Sequence, residues 1–243
     1  MSVDVLRYAA FTRDGRGGNP AGVVLDAAGM SETAMQAVAA DVGYSETAFL
    51  LPGATLGIRY FSPRAEVSFC GHATVATAVA VAERDGAGQL ELRTGVGPVP
   101  VRTERGADGV LRATLTSVPT STVPADPREV GATLAALRWA FSDLDPALPP
   151  HVSYAGAYHL VLATTSRARL AALDYDYPAL ERVMAATGWT TVHLVHRADA
   201  TTFHVRNPFP PGGVLEDPAT GAAAAAFGGY LRDTGQVASG RLT

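Results

Sequence analysis

Two stretches place ionisable side chains just ahead of helices made of very small residues. In "SFCGHATVATAVAVA" the cluster is Cys70-Gly71-His72-Ala73-Thr74; in "GVLEDPATGAAAAA" it is Glu216-Asp217-Pro218-Ala219-Thr220-Gly221. A helix start exposes backbone N–H groups without intrahelical partners and the positive end of the macrodipole. It is therefore a seat for an anion such as a substrate carboxylate. An imidazole, a thiol and a carboxylate beside such seats are groups that hold and move protons. Each also has a plainer reading: Asp217 as a helix cap, Cys70 as a small buried hydrophobe, His72 as a structural histidine. The doubled arrangement favours the functional reading, because capping one helix does not call for Cys-Gly-His in another.

Glu46 in "GYSETAFL" follows a helix and opens a strand. It is either a solvated strand-end carboxylate or a general base whose pKa rises through burial beside Tyr44 and Phe49. In "GGNP", Asn19 can donate amide hydrogen bonds to a carboxylate. Cys70 is the only thiol, which excludes an internal disulfide and a cysteine-rich zinc site. The remaining histidines (His151, His159, His193, His196, His204) lie along strands without ligand spacing and read as structural, so no metal is expected.

The elements that must position these groups follow from pattern. "VDVLRYAAF" reads as a strand and "RDGRGGNPAG" as a loop. "SETAMQAVAADVG" is a helix capped by Ser31 and closed by Gly43. "YSETAFLLP" and "LGIRYFSP" are strands, and a buried helix runs from Ala73. "QLELRT", "GPVPVRTE" and "VLRATLTSV" are strands, and the proline-rich "SVPTSTVPADP" is a linker. Beyond it come a helix in "REVGATLAALRWAF", one or two strands in "HVSYAGAYHLVLATTS", a helix in "PALERVMAAT", strands in "TTVHLVHR" and "TTFHVRNP", and the Ala-rich helix after Asp217. "IRYFSPRAEVSFCGHATVATAVAVA" and "FHVRNPFPPGGVLEDPATGAAAAAFGGYL" share one plan: strand, Ser-Pro or Asn-Pro corner, irregular stretch, polar cluster, small-residue helix. The fold expected is α+β in two lobes, 1–118 and 119–243, with largely antiparallel or mixed sheets.

With 47% apolar and 17% charged residues the chain can bury a core, and a net charge of −4 argues against a nucleic-acid surface. The N-terminus lacks the order of a signal peptide, and no apolar run approaches the ~20 residues of a membrane span. A cytoplasmic protein without a membrane partner is the expectation.

"GGNPAGVVL", "MQAVAADVGYSETAFL", "RYFSPRAEVSFCGHATVATA" and "GVLEDPATGAAAAA" together resemble the PhzF-like phenazine-biosynthesis family, which shares the two-lobed fold of diaminopimelate epimerase. The resemblance implies that each lobe is a mostly antiparallel or mixed sheet, or barrel, wrapped around a central helix, with the active site between lobes. It implies proton transfer without a cofactor on a small carboxylate-bearing molecule, in a homodimer. By motif match Glu46 takes the catalytic acid/base position, and His72 and Asp217 assist it. Asn19, Ser45, Gly71, Ala73, Thr220, Gly221 and Ala222 take substrate-binding positions, and Cys70 is a possible second acid/base. Two departures stand out: Ala222 replaces the family's serine, and the chain stops at "GQVASGRLT" where the family continues, so a shortened second lobe is expected. The alternatives are an amino-acid racemase or epimerase working through paired groups, and a non-catalytic relative that binds a metabolite or protein.

Overall fold

Capping chemistry sets most helix boundaries. A computed structural model describes residues 3–13, 15–238 and 240–243. In it Ser31 accepts the Ala34 N–H to start α1 (Glu32–Val42), and Gly43 ends that helix in left-handed backbone at φ 70°. The chain divides into two compact units, Met1–Val118 and Pro119–Thr243.

In the first unit, strands β1 (Leu6–Ala10), β2 (Asn19–Val24), β3 (Glu46–Leu51), β4 (Leu56–Phe61), β5 (Glu66–Val67), β6 (Gln89–Thr94), β7 (Gly97–Arg105) and β8 (Leu111–Leu115) share one sheet. Its order is β1-β2-β3-β4-β6-β7-β8, with β5 against β4. Pairing is antiparallel except at β2–β3 and β4–β6. Those two parallel pairs need crossovers, and the helices α1 and α2 (Gly71–Asp85) supply them. Helix α2 touches β1, β2, β3, β7 and β8, so the sheet curls round it. The alanines at 73, 76, 78, 80 and 82 are buried and allow this close wrapping. The other sheet face packs Val24, Phe49 and Phe61 against Met35 and Ala39 of α1.

The second unit repeats the plan. Strands β9 (Ser121–Pro124), β10 (His151–Tyr154), β11 (Tyr158–Ala163), β12 (Thr191–Arg197) and β13 (Phe203–Arg206) run in the order β13-β12-β11-β10-β9. Only β11–β12 is parallel, and α4 (Arg167–Ala171) and α5 (Tyr177–Thr187) lie in its crossover. Leu160, Leu162, Val192 and Leu194 pack with Leu134 and Leu137 of α3 (Pro127–Leu137) and Leu180 of α5. The alternate residues Val161, Ala163 and Val195 pack with Phe227, Tyr230 and Leu231 of α6 (Gly221–Asp233). Both faces are covered, which is why "HLVLA" reads as an unbroken apolar run.

Three boundaries differ from the sequence reading. The loop read into "RDGRGGNPAG" ends at Gly18, whose φ of 78° and approach to the Ala10 carbonyl admit no side chain, and Asn19 already pairs with Ala10 in β2. The proline-rich linker contains β9, an edge strand, where Pro124 need not donate to a ladder. Helix α2 starts at Gly71 and not at Ala73, since the Thr74 N–H already reaches the Cys70 carbonyl, which puts His72 in its first turn. Among the described residues no helix is long and apolar enough to cross a membrane.

Candidate active site

Parallel neighbours bring their first residues to the same sheet end. Asn19 opens β2 and Glu46 opens β3, with Ala21 in register with Glu46. Alternation turns Asn19, Ala21, Glu46 and Ala48 towards α2, and Phe49 towards α1. Phe49 therefore does not enclose the carboxylate, contrary to the sequence reading: three positions along a strand means the opposite face. Glu46 instead meets His72, with its Oε2 3.5 Å from the ring Nε2. Both are buried, at 4% and 1% exposure.

The hydrogen bonds around His72 set its proton. Asn19 Nδ2 lies 3.1 Å from Nδ1, and an amide nitrogen can only donate. In a neutral ring the N–H then sits on Nε2, facing Glu46 and the Ser45 hydroxyl 3.4 Å away. Ser45 is itself free to accept there, because its own proton goes to Asn19 Oδ1 at 3.3 Å. Cys70 Sγ lies 3.2 Å from Nδ1. Beneath this group Thr74 donates to the Cys70 carbonyl at 2.6 Å, so Tyr60 must be the donor in its 2.6 Å contact with Thr74 Oγ1. Burial pushes the Tyr60 phenol well above its ordinary range, which keeps that proton in place.

Glu46, Cys70 and His72 offer a carboxylate oxygen, a thiol and an imidazole nitrogen within 4.8 Å of one another, the donor types of a metal site. The thiol sits nearer Nδ1, at 3.2 Å against 3.9 Å to Nε2, while the carboxylate sits at Nε2. Both donors lie within 3.9 Å of Nε2, a spacing that also places them for proton exchange with the ring.

In the second unit the two neighbouring carboxylates have separate tasks. Glu216 forms a two-pronged ion pair with Arg206, whose Nε is 2.8 Å from Oε2. Tyr175 and Tyr177 add bonds to the Leu215 and Pro210 carbonyls, at 2.6 and 2.9 Å. Together they pin the irregular stretch before α6. Asp217 is 2% exposed; its N–H reaches the Asn207 carbonyl at 2.9 Å, and its own carbonyl receives the Thr220 hydroxyl at 2.8 Å. Ala219 completes the turn in left-handed backbone, at φ 52°. Gly221 and Ala222 form the first helical positions.

Helix starts fall into two groups. Ser31, Asp126, Ser166 and Asp176 cap α1, α3, α4 and α5 with their side chains. Cys70 and Thr220, the N-cap residues of α2 and α6, make no side-chain cap. These two starts carry the residues singled out by the sequence. The structure groups Asn19, Ser45, Glu46, Cys70, Gly71, His72 and Ala73 in the first unit, and Asp217, Thr220, Gly221 and Ala222 in the second. Tyr60, Arg206 and Asn207 escaped the sequence reading, which placed Thr74 in the first polar cluster but gave it no task. Only Asn207 carried a signal, in the Asn-Pro corner that mirrors Ser62-Pro63.

Fold and site together define a duplicated α+β protein with a buried carboxylate and imidazole side by side at a helix start. Residues 8–242 match the family described as phenazine biosynthesis-like protein, and the chain belongs to that family. An uncharacterised isomerase of Mesorhizobium japonicum is 36% identical, over 93% of this chain and 79% of that protein. The trans-2,3-dihydro-3-hydroxyanthranilate isomerase of Pseudomonas chlororaphis is 31% identical, over 92% of this chain and 78% of its own length. The crystal structure of a PhzF-family phenazine biosynthesis protein from Bacillus anthracis superposes with a TM-score of 0.79 at 28% identity, covering 94% of this chain and 79% of that one.

Proposed function

We propose that the protein is an isomerase that uses its own side chains, without a cofactor, to move a proton between carbons of a small carboxylate-bearing metabolite. The buried Glu46 carboxylate, 3.5 Å from His72 Nε2 at the uncapped start of α2, carries this reading. Glu46 takes a proton from an acidified C–H and, as the carboxylic acid, returns it to a different carbon, ending as it began. His72 presents its Nε2 edge to the carboxylate from 3.5 Å, an electrostatic contact. The second amide N–H of Asn19 and the backbone N–H groups at Gly71 and Ala73 offer donors for the substrate anion and for charge that develops during transfer, and Ser45 contributes by holding the Asn19 amide through its hydroxyl. Asp217, Thr220, Gly221 and Ala222 enter this proposal on their motif match and on the uncapped start of α6. The first substrate to test is trans-2,3-dihydro-3-hydroxyanthranilate, named by the Pseudomonas relative. Ala222 lacks the hydroxyl that the family pattern places there, so a substrate of different substitution is the next choice.

The test is Glu46→Gln, which keeps shape and removes the base. Solvent deuterium incorporation into product is expected to fall by ~10²-fold or more while substrate binding stays within a few-fold. Undiminished incorporation removes Glu46 from the mechanism. One contact favours a second reading: Cys70 Sγ against His72 Nδ1 at 3.2 Å is the pairing a thiol acid/base of an epimerase would use. Cys70→Ser separates the two, crippling an epimerase and leaving the Glu46 reaction near its original rate.

A further inference from the structure

A row of polar side chains crosses the α6 face of the second unit's sheet. Thr122, Ser153, His159 and Thr191 are register partners on β9, β10, β11 and β12, so they point to one side. Thr122 and Ser153 hydroxyls meet at 2.8 Å, as do His159 Nδ1 and Thr191 Oγ1. His193, two positions beyond Thr191, faces the same way. Its ring lies 5.3 Å from that of Phe227 in α6, and its Nδ1 is 2.7 Å from Asn207 Oδ1. The main-chain carbonyl of Asn207, not its side-chain amide, receives the Asp217 N–H at 2.9 Å. His193, Asn207 and Asp217 are 1%, 1% and 2% exposed.

Direction follows from chemistry. An amide oxygen only accepts, so the single N–H of a neutral His193 is on Nδ1 and is given to Asn207. Nε2 of His193 is left buried without a hydrogen-bond partner. An aliphatic side chain would pack on Phe227 with no such penalty. What the imidazole adds is a fixed Asn207, and Asn207 is the residue that receives the backbone of Asp217. A strand end is thereby tied to the turn that opens α6, where Ala219 is held in left-handed backbone.

We infer that Asn207 and His193 are positioning residues for Asp217: His193 anchors the Asn207 side chain, and the main-chain carbonyl of the residue so anchored fixes the Asp217 backbone at the α6 start. Their part in turnover rests on the reading above that Asp217 takes part in the reaction. Neither residue need touch substrate. Both act by fixing where the Asp217 side chain starts.

The experiment uses the full chain with His193→Leu, which removes the donor, and His193→Asn, which keeps an N–H at the Nδ1 position. Amide hydrogen exchange at Asp217 is followed by NMR, and turnover as deuterium entry into trans-2,3-dihydro-3-hydroxyanthranilate. The Leu variant is expected to speed Asp217 exchange about 10-fold, as for one lost buried hydrogen bond. It should lower kcat about 10-fold with little change in KM, and the Asn variant should recover both. Full Asp217 protection in the Leu variant overturns the proposal whatever the turnover. So does a fall in kcat that tracks thermal stability in both variants, because a general packing defect would then explain it. The parallel Asp217→Asn variant separates the two readings. Unchanged turnover there removes Asp217 and its supports from the reaction, whereas lost turnover there with unchanged turnover in His193→Leu removes only the positioning role.

Discussion

At the scale of single residues the argument is about which atom holds each proton. Asn19 fixes the neutral His72 ring with its N–H towards Glu46, because the amide nitrogen at 3.1 Å can only donate to Nδ1. Asn19→Leu is expected to lower deuterium incorporation by about 10-fold or more, since the ring loses the contact that sets its tautomer. Exchange at the original rate would show that the tautomer is set elsewhere. The Tyr60–Thr74–Cys70 chain gives a test with a built-in ordering. Tyr60→Phe deletes a donor and leaves no buried hydroxyl behind, at about 1 kcal/mol. Thr74→Val leaves the Tyr60 hydroxyl buried beside a methyl group, while the Cys70 carbonyl keeps the Thr74 N–H at 3.0 Å. It should cost about 1–3 kcal/mol, more than the first change. Denaturant midpoints of the two variants check the order, and equal losses would mean the phenol finds another acceptor.

At the scale of elements, two long buried helices made of small residues let each sheet come close. A close approach falls at Gly229 in α6, where an added Cβ would lie 2.4 Å from the Oγ1 and 2.6 Å from the Cβ of Thr120, just ahead of β9. In an exposed helix Gly→Ala stabilises by about 1 kcal/mol. Here the clash should reverse the sign and destabilise by about 1–3 kcal/mol, and the double change with Thr120→Gly should restore most of it. A Gly229→Ala chain as stable as the parent would show that α6 shifts freely. Caps and periodicity made these helices readable: Ser31 and Gly43 mark both ends of α1, and the alanine runs mark α2 and α6. The start of β2 was hidden by Pro20 and the whole of β9 by Pro124 at its end, prolines whose turn signal outweighs a short strand. Glu46, His72 and Asn19 were visible as types in a motif. Their grouping comes from the parallel β2–β3 register, which no local pattern encodes. The Arg206–Glu216 contact joins residues 10 apart across an irregular stretch that no periodicity spans, whereas the His193–Asn207 contact continues the β12–β13 register one step past Leu194–Arg206 and needed only the hairpin pairing to be read.

At the scale of the whole molecule two buried histidines, His159 and His193, make the second unit acid-sensitive. Burial holds His159 down to about 3 and His193 down to about 4, with His193 adding repulsion at His159. Both belong to the second unit, where they stay neutral in the folded state. In the unfolded chain they titrate near 6.5. Between pH 6.5 and about 4 the unfolded state therefore binds protons that the folded state does not, so stability is full above pH 6.5 and falls as the pH drops. The loss amounts to about 1.4 kcal/mol per histidine by roughly one unit below the unfolded pKa, and grows by close to that amount for each further unit until the folded-state value is reached. Trp139 and Trp189, the chain's two tryptophans, are both buried in the second unit's core, so their fluorescence reports on that unit alone. Urea midpoints followed by tryptophan emission are expected to hold steady above neutrality and to decline steadily below about pH 6.5. His159→Asn keeps a hydrogen-bonding partner for Thr191 and cannot titrate, so it should flatten the slope by about half through the loss of one of two proton-linked sites. A slope unchanged by that substitution would place the acid sensitivity in other groups, and a flat parent profile would mean that both imidazoles accept protons within the folded unit.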